Sequence, residues 1–414
     1  MVGVERIDEG PRSAIVVGAG IVGLSTAWFL QERGVEVTVV DRTGVAAGAS
    51  WGNGGWIAPG LTFPPNSPGV LRHGLRALRT PSAPWRSSWR RAMRANAALN
   101  EDCIEAFDVL LANGVDAPVT DAPITAVFRS TAEAEHMLWQ LRQLENAGQK
   151  MYVTALSGEA LSEQVPLASP TVTAGLNING QRFVDPHRFV EALGRSVVER
   201  GATMRRLEIS EVVSSGAGVT LRAHREALTG DVAVIATGAR LSALAGRWLC
   251  VPVQASCGYS FTVPADRPIP SPIYLPSARL ACTPYQGAVR VSGTMEFRHR
   301  HEPVLPQRVE AIIASASPLL DGMRWAEHSA VWIGAYSVTS DGRPLIGEVS
   351  PGIYVAGGHG MWGLAHGPVT GRLLAEQITT GKQPQALAEF DPLRRNGRRY
   401  PDTRGRRSQR NFAH

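Results

Sequence analysis

Three glycines with the spacing Gly18-x-Gly20-x-x-Gly23 constrain the fold of this chain more than any other feature. The apolar run 13–17 before them predicts a short buried strand, and the helical spacing of apolar residues over 21–33 predicts a helix. Gly34 ends that helix, and residues 35–40 form a second apolar, β-branched run. The N-terminus is therefore predicted to fold as a β-α-β unit with a glycine-rich turn between its first strand and its helix.

Each glycine of this turn has a separate physical reason. Gly18 permits a tight turn, Gly20 lets backbone approach a pyrophosphate, and Gly23 lets the helix pack closely on the sheet. Asp41 ends the second strand, 23 residues after Gly18, where its carboxylate can accept hydrogen bonds from ribose hydroxyls. The acid argues against a 2′-phosphate, and hence against NADP, but this pattern alone leaves both FAD and NAD open.

The rest of the chain predicts an α/β protein with an interrupted nucleotide-binding domain. Runs 231–236 and 353–356 predict further buried strands, and helices are predicted over 132–147, 186–200 and 368–380. The alternation over 251–298 favours an antiparallel sheet. We therefore predict a discontinuous Rossmann-type domain of residues 1–68, 150–250 and 331–385, an inserted antiparallel α+β substrate domain of residues 69–149 and 251–330, and a basic C-terminal tail of residues 386–414.

Charge and composition exclude several functions. Eight arginines and one acid from Arg394 onward give a net charge of +7, which leaves −1 for the rest of a chain whose total is +6. Such a tail is typical of a solvated terminus, so nucleic-acid binding is not expected. The basic stretch 72–94 favours a surface helix, with at most weak peripheral contact with the inner face of a membrane. No apolar run is long enough to span a membrane, no secretory leader is recognisable, and four cysteines lack CxxC pairing. We expect a cytoplasmic protein without a bound metal.

Three further motifs carry a family resemblance. They are 49–55 (ASWGNGG), Ala236-Thr237-Gly238 and 357–363 (GGHGMWG). With 184–186, 253–254, 258–260, 293–295 and 341–347, they resemble the D-amino-acid oxidase superfamily of FAD-dependent enzymes, most closely its D-amino-acid dehydrogenase branch. The resemblance runs from about residue 13 to 381 and implies a glutathione-reductase-like FAD domain.

The resemblance implies a role for each matching position. FAD would be bound non-covalently, because no cysteine stands in a flavin-facing motif. The implied cofactor-binding residues are Gly18, Ala19, Gly20, Ile21, Val22, Gly23, Asp41, Arg42, Ser50, Asn53, Gly54, Gly55, Ile209, Ala236, Thr237, Gly238, Gly358, His359, Gly360, Met361, Trp362 and Gly363. Tyr336, His359, Met295 and Arg298 are the catalytic candidates, although for His359 filling a turn is favoured over acid–base chemistry.

The chain departs from this family where relatives hold the substrate carboxylate. Their arginine stands in a Gly-x-Arg-Pro segment, whereas this sequence has Tyr336 at that position. A tyrosine offers one neutral donor in place of a charged, bidentate pair. A tyrosine of some relatives is also missing, since the matching segment is 280–282 (LAC). Arg343 is expected at the surface, and Arg298 is the better candidate for a relocated base.

Two interpretations therefore stay open for the substrate. Either Arg298 or another base holds a carboxylate, or the substrate is an amine without one, which we favour. The predicted reaction is oxidation of a C–N bond of a small amine or D-amino-acid-like molecule to an imine, by hydride transfer to flavin N5. The electron acceptor is left open among oxygen, a quinone and a carrier protein. The alternatives are FAD-dependent oxidation of an alcohol or hydroxy acid, and a partner-dependent flavoprotein subunit.

Overall fold

The N-terminal β-α-β unit folds as the sequence predicts. The computed structural model describes residues 10–63, 85–216, 218–297 and 303–395. Strand β1 spans Ser13–Val17, helix α1 spans Ile21–Glu32 and strand β2 spans Glu36–Asp41. The two strands are parallel neighbours, with Val17 opposite Val40. The predicted bounds differ from these by one residue at most.

The remaining strands complete two larger sheets and form two three-stranded sheets, and the helices pack around them. The helices are α2 Trp85–Glu101, α3 Cys103–Ala112, α4 Thr131–Glu145, α5 Gly158–Gln164, α6 Pro186–Glu199, α7 Leu241–Ala245, α8 Pro306–Ala316 and α9 Gly363–Thr380. The strands are β3 Trp56–Ile57, β4 Val119–Asp121, β5 Ile124–Phe128, β6 Val153–Leu156, β7 Ala174–Ile178, β8 Arg182–Val184, β9 Thr203–Arg206, β10 Ile209–Ser215, β11 Gly218–Ala223, β12 Ala227–Gly230, β13 Val232–Ile235, β14 Val253–Val263, β15 Ile273–Leu275, β16 Leu280–Tyr285, β17 Ala288–Glu296, β18 Ser329–Thr339, β19 Leu345–Ser350 and β20 Ile353–Gly357.

A six-stranded sheet with the order β19-β20-β13-β1-β2-β9 forms the centre of the first unit. All neighbours in it are parallel except β19, which pairs antiparallel with β20. Val16 faces α1 and α9 on one side, and Val17 faces the three-stranded antiparallel sheet β10-β11-β12 on the other. Burial on both faces explains why these strands are continuous apolar runs. This layering confirms the predicted Rossmann-type α/β fold.

An eight-stranded sheet with the order β18-β14-β17-β16-β15-β5-β7-β6 forms the second unit. Its strands β14, β17 and β16 are antiparallel, as the alternation over 251–298 predicts. The sheet is nevertheless mixed, because β15 pairs parallel with β5. Helix α4 covers one face beside β5 and β7, and α8 covers the other.

The distribution of strands differs in part from the predicted domain bounds. Strands β6 and β7 fall within 150–250, which the sequence assigns to the FAD domain, but they pair in the eight-stranded sheet. Strand β18 likewise belongs to that sheet, although it lies within 331–385 apart from its first residues. We therefore propose that residues 119–178 and 251–339 build most of the substrate domain.

Two local predictions near the C-terminus need correction. Helix α9 begins at Gly363 rather than at residue 368, and Pro368 lies inside it. Residues 386–395 are not a solvated tail, because Leu387 and Phe390 are fully buried. The basic residues from 396 onward lie outside the described part of the chain. No helix in the described ranges is both long and apolar enough to cross a membrane.

The same region buries an arginine that the sequence predicts at the surface. Arg343 is only 6% exposed and donates to Asp341 at 2.8 Å and to Glu389 at 2.6 Å. Arg394 adds a bidentate contact with Asp341, at 2.9 and 3.0 Å. The Asp341-Gly342 turn is thereby tied to the last described residues.

Candidate cofactor and substrate site

A cavity of about 560 Å³ lies along the carboxyl ends of the parallel strands. The segments that follow β1, β2, β13 and β20 all contribute to its lining, together with β18 of the eight-stranded sheet. In open α/β sheets, ligands bind at this edge because loops and helix N-termini converge there. The cavity therefore joins the two units at the position that the glycine motif predicts.

The glycine turn forms one wall of this cavity through close backbone packing. Gly18 has a φ of +117°, and a Cβ atom there would overlap with the carbonyl oxygen of Ala236. A Cβ atom on Gly23 would overlap with the carbonyl oxygen of Gly18. Both positions thus require glycine in this arrangement, whereas Gly20 has only the Ser50 hydroxyl nearby, at 3.4 Å. The cavity is left open beside Gly20, where a ligand's phosphates can approach.

Asp41 is held as a carboxylate beside this turn. Its Oδ2 accepts from the Ala19 N–H at 3.0 Å, and its Oδ1 accepts from both donors of Thr43 and from the Gly44 N–H. Burial alone would raise the pKa of Asp41, but these hydrogen bonds outweigh burial and hold it below its ordinary value. Oδ2 keeps acceptor capacity toward the cavity, which fits the ribose hydroxyls of a dinucleotide.

The N-terminus of α1 offers donors for a pyrophosphate. The Ile21 N–H donates to Ser50 Oγ at 3.2 Å, so the hydroxyl hydrogen of Ser50 stays available to a second acceptor. The helix has no acid in its first turn and Gly20 at its N-cap, which leaves its positive dipole end uncompensated. Glycine turn, carboxylate and free donors together fit the ADP half of FAD.

Most of the implied cofactor-binding residues line the cavity. These are Gly18, Gly20, Ile21, Val22, Asp41, Arg42, Ser50, Asn53, Ile209, Ala236, Thr237, Gly238, His359, Gly360 and Gly363. The others, which are Ala19, Gly23, Gly54, Gly55, Gly358, Met361 and Trp362, are not in the lining. Two of these act through backbone, since Ala19 donates to Asp41 and Gly358 donates to Ser337.

Sequence reasoning missed some lining residues at both ends. Arg240 and Glu208 pair at 2.6 Å beside Ile209. Trp332, on β18, lines the other end and lies so close to Gly52 that a Cβ atom there would overlap with the indole ring. Arg240 could have been predicted, because it follows the 236–238 motif by two residues. The contact between Trp332 and Gly52 could not, because it depends on tertiary structure alone.

The eight-stranded sheet fixes the loop 52–55, which borders the end of the cavity near β18. Ser260 on β14 donates to the carbonyl of Gly52 at 2.7 Å, and Thr283 on β16 donates to the carbonyl of Gly54 at 2.7 Å. The Trp56 indole N–H in turn donates to Thr283 at 2.8 Å. The loop is therefore positioned by the predicted substrate domain rather than by its own sequence.

Tyr336 lines this end of the cavity as a neutral phenol. Its ring lies against Gly258, and its hydroxyl is hydrogen-bonded to Ser256. Ser256 itself donates to the carbonyl of Glu296 at 3.1 Å. Burial raises the pKa of Tyr336 to about 12, and the group stays neutral. It therefore cannot replace a guanidinium toward a carboxylate.

His359 lines the cavity and is fixed by the helix behind it. Its Nε2 pairs with Thr370 Oγ1 at 3.0 Å, and burial lowers its pKa to about 4. His366, one turn into α9, has its pKa lowered to about 3 by burial and by His359. Both imidazoles are neutral at neutral pH, which supports the structural role over acid–base chemistry for His359.

The two other catalytic candidates are placed differently. Met295 lies on β17 opposite Gly258 and is partly buried, but it is not among the cavity-lining residues. Its neighbour Thr294 has a φ of +56°, a costly conformation for a β-branched residue. Arg298 lies outside the described residues. The roles of these residues stay predictions.

The buried histidine pair predicts a loss of stability in mild acid. Unfolded histidines titrate near pH 6.5, while the folded pKa values are about 4 and about 3. The unfolded state therefore binds more protons as the pH falls from 7 toward 4, and the free energy of unfolding decreases. Urea unfolding at pH 7 and pH 5 should show a lower midpoint at pH 5. His366→Gln should reduce that difference, and the same change at exposed His136 should not; equal effects would contradict the prediction.

Comparisons with known proteins agree with this geometry. The family model described as FAD dependent oxidoreductase, the D-amino-acid oxidase model, matches residues 13–377. A glycine oxidase from Bacillus cereus ATCC 14579 is 21% identical, with a TM-score of 0.74 over 94% of this chain and 100% of that one. An L-proline dehydrogenase from P. horikoshii is 18% identical, with a TM-score of 0.72 over 93% and 97%.

A third similar structure extends the same set. An iminodiacetate oxidase from Chelativorans sp. BNC1 is 19% identical, with a TM-score of 0.69 over 92% of this chain and 98% of that one. The family match spans most of the chain, and the cavity carries the features that the ADP half of FAD requires. The chain belongs to the D-amino-acid oxidase family of FAD-dependent oxidoreductases, and its cofactor is FAD.

Proposed function

We propose that this protein oxidises the carbon–nitrogen single bond of a small amine that carries no carboxylate beside the reacting carbon. The three similar structures named above are enzymes of glycine, L-proline and iminodiacetate, all of which contain an amine nitrogen. In the reaction, the carbon loses a hydride, the nitrogen loses a proton, and a C=N bond forms. FAD, when bound, supplies the hydride acceptor.

The uncharged end of the cavity carries this proposal. The lining contributed by β18 and by the start of α9 has no charged side chain among the described residues, and its titratable groups Tyr336 and His359 are neutral. A carboxylate buried there would lose its water and find no cationic partner among the described residues of that lining, which costs several kcal/mol. The charged lining residues, such as Asp41 and Arg240, lie at the opposite, dinucleotide end.

The same environment suits the amine itself. Burial without a counter-ion favours the neutral form of an amine, and that form has the lone pair that the forming C=N bond requires. Gly360 and Gly363 bring the N-terminus of α9 to the cavity, so the positive end of a helix dipole lies where negative charge develops. No strong base is needed from the protein, which agrees with a neutral His359.

Anaerobic bleaching of the flavin absorbance tests the proposal directly. Each D-amino acid should be paired with its decarboxylated amine, such as D-phenylalanine with 2-phenylethylamine, and 2-hydroxy acids should be included. We expect the amines to bleach the flavin at concentrations at least tenfold below those of the amino acids. Preferential bleaching by amino acids would point to a relocated base, and bleaching by hydroxy acids alone would replace amine oxidation by alcohol oxidation. Reoxidation by oxygen or by a quinone then separates an oxidase from a dehydrogenase.

Replacing Tyr336 with arginine should convert the site toward amino acids. The guanidinium would offer the charged, bidentate contact that the neutral hydroxyl does not. We expect the half-saturating concentration of D-amino acids to fall about tenfold to hundredfold, the effect of a hydrogen bond to a charged group. Tyr336→Phe is the matched control and should leave amino-acid affinity unchanged. If Tyr336→Arg binds FAD but shows no gain, the missing arginine does not explain the specificity.

A further inference from the structure

Three partly exposed aromatic side chains pack against one apolar cluster, and two of them adjoin cavity-lining segments in the chain. Trp56, Tyr274 and Trp362, here called the aromatic wall, are all partly exposed. All three pack against the buried apolar cluster that contains Ala58 and Leu61. Partly exposed aromatic rings grouped in this way are typical of ligand sites.

The chain places this wall next to the proposed reaction site. Trp362 lies between Gly360 and Gly363, which both line the cavity. Trp56 directly follows the loop 52–55, and its ring makes an edge-to-face contact with Tyr274 at 5.9 Å and 83°. Two of the three wall residues are therefore joined in the chain to segments that line the uncharged end of the cavity, and none of the three is itself part of the lining.

The polar atoms of the two tryptophans already have partners inside the protein. The Trp56 indole N–H donates to Thr283 at 2.8 Å, and the Trp362 indole N–H donates to the Phe63 carbonyl at 2.9 Å. Burial raises the pKa of Tyr274, so its phenol is neutral. What the wall offers to a ligand is therefore mainly ring surface.

Tyr274 also occupies a meaningful position in the sheet. It lies on β15 directly opposite Ala281 on β16. The cross-strand neighbour of the Tyr274 ring is therefore small and uncharged.

We propose that the aromatic wall binds an aryl group of the substrate, which makes the preferred substrate a primary or secondary arylalkylamine. This inference rests on the proposed amine oxidation and specifies its substrate class. An apolar wall would accept a saturated or an aromatic ring by burial alone, but aromatic pairs in stacked or edge-to-face contact add attraction beyond area. The wall therefore selects an aryl group over a saturated ring of similar size.

Two amines that differ only in aromaticity test the proposal. For the FAD-loaded protein, the half-saturating concentration in anaerobic bleaching should be about threefold to tenfold lower for 2-phenylethylamine than for 2-cyclohexylethylamine. In Tyr274→Leu this ratio should decrease, because one of the three rings is lost, whereas Tyr274→Phe should keep it because the ring remains. Trp139, 55% exposed on α4, provides the matched control, and Trp139→Leu should also keep the ratio.

The outcomes separate this inference from the proposed function. Equal half-saturating concentrations for the two amines in the unmodified protein, or an unchanged ratio in Tyr274→Leu, would overturn the role of the wall while leaving amine oxidation intact. Failure of every amine to bleach the flavin would overturn both. The comparison of the two amines in the unmodified protein tests the role of the wall even if Tyr274→Leu does not bind flavin. Flavin content is measured for each variant.

Discussion

Gly18→Ala is expected to weaken FAD binding by at least about a hundredfold, because the new Cβ atom would cause both backbone strain and a steric overlap. The backbone φ of +117° is one that side-chain-bearing residues rarely adopt, and the new Cβ atom would overlap with the carbonyl oxygen of Ala236. Relief requires β1 and β13 to separate at their carboxyl ends, where the dinucleotide end of the cavity lies. Titration of the apoprotein with FAD, followed by flavin fluorescence, measures the change in Kd.

Gly34→Ala is the matched control for this prediction. Gly34 belongs to the same β-α-β unit and also has a positive φ, of +79°, but nothing lies within 4 Å of the position of its Cβ atom. The change should cost about 1 kcal/mol of stability from backbone strain and leave FAD affinity close to that of the unmodified protein. If Gly18→Ala and Gly34→Ala bind FAD equally well, close packing of the glycine turn is not what shapes the site.

The parts of the fold that the sequence predicts well are those encoded locally. Residues 13–41 contain a strand, a glycine turn, a helix and a second strand in one continuous stretch, and periodicity is sufficient to place them. The pairing of β5 with β15 joins residues about 150 positions apart, and no local pattern reports it. For this reason the predicted domain bounds differ from the observed strand pairing, since the sequences of β6 and β7 do not show which sheet the two strands join.

The same division applies to the site. At the dinucleotide end, the glycine turn and Asp41 follow from a local motif, whereas Ile209 and residues 236–238 follow only from the family resemblance. The substrate end depends on contacts across the sheet, such as Trp332 with Gly52 and Tyr274 with Trp56. The surface prediction for Arg343 was wrong because an arginine in a turn is usually exposed, and only the folded chain brings Glu389 to the turn that holds Asp341 and Arg343.

Arg394→Ala should destabilise the protein by about 3 kcal/mol at neutral pH, because it leaves a buried carboxylate partly uncompensated. Arg394 contacts both carboxylate oxygens of Asp341 and also donates to the carbonyls of Pro344 and Arg343. Burial would raise the pKa of Asp341, and the contacts with Arg394 and Arg343 instead hold it below its ordinary value. Urea unfolding at pH 7 measures the loss.

The pH dependence separates this charge pair from simple loss of packing. A carboxylate with a lowered folded pKa stabilises the protein above its ordinary pKa of 3.8, and that contribution is lost as the pH falls through the folded value. The difference between Arg394→Ala and the unmodified protein should therefore shrink below about pH 4. Arg142, exposed on α4, is the control, and Arg142→Ala should change the free energy of unfolding by less than about 0.5 kcal/mol. A loss at Arg394 that is the same at every pH would show that its aliphatic stem, and not its charge, holds the last described residues against the Asp341 turn.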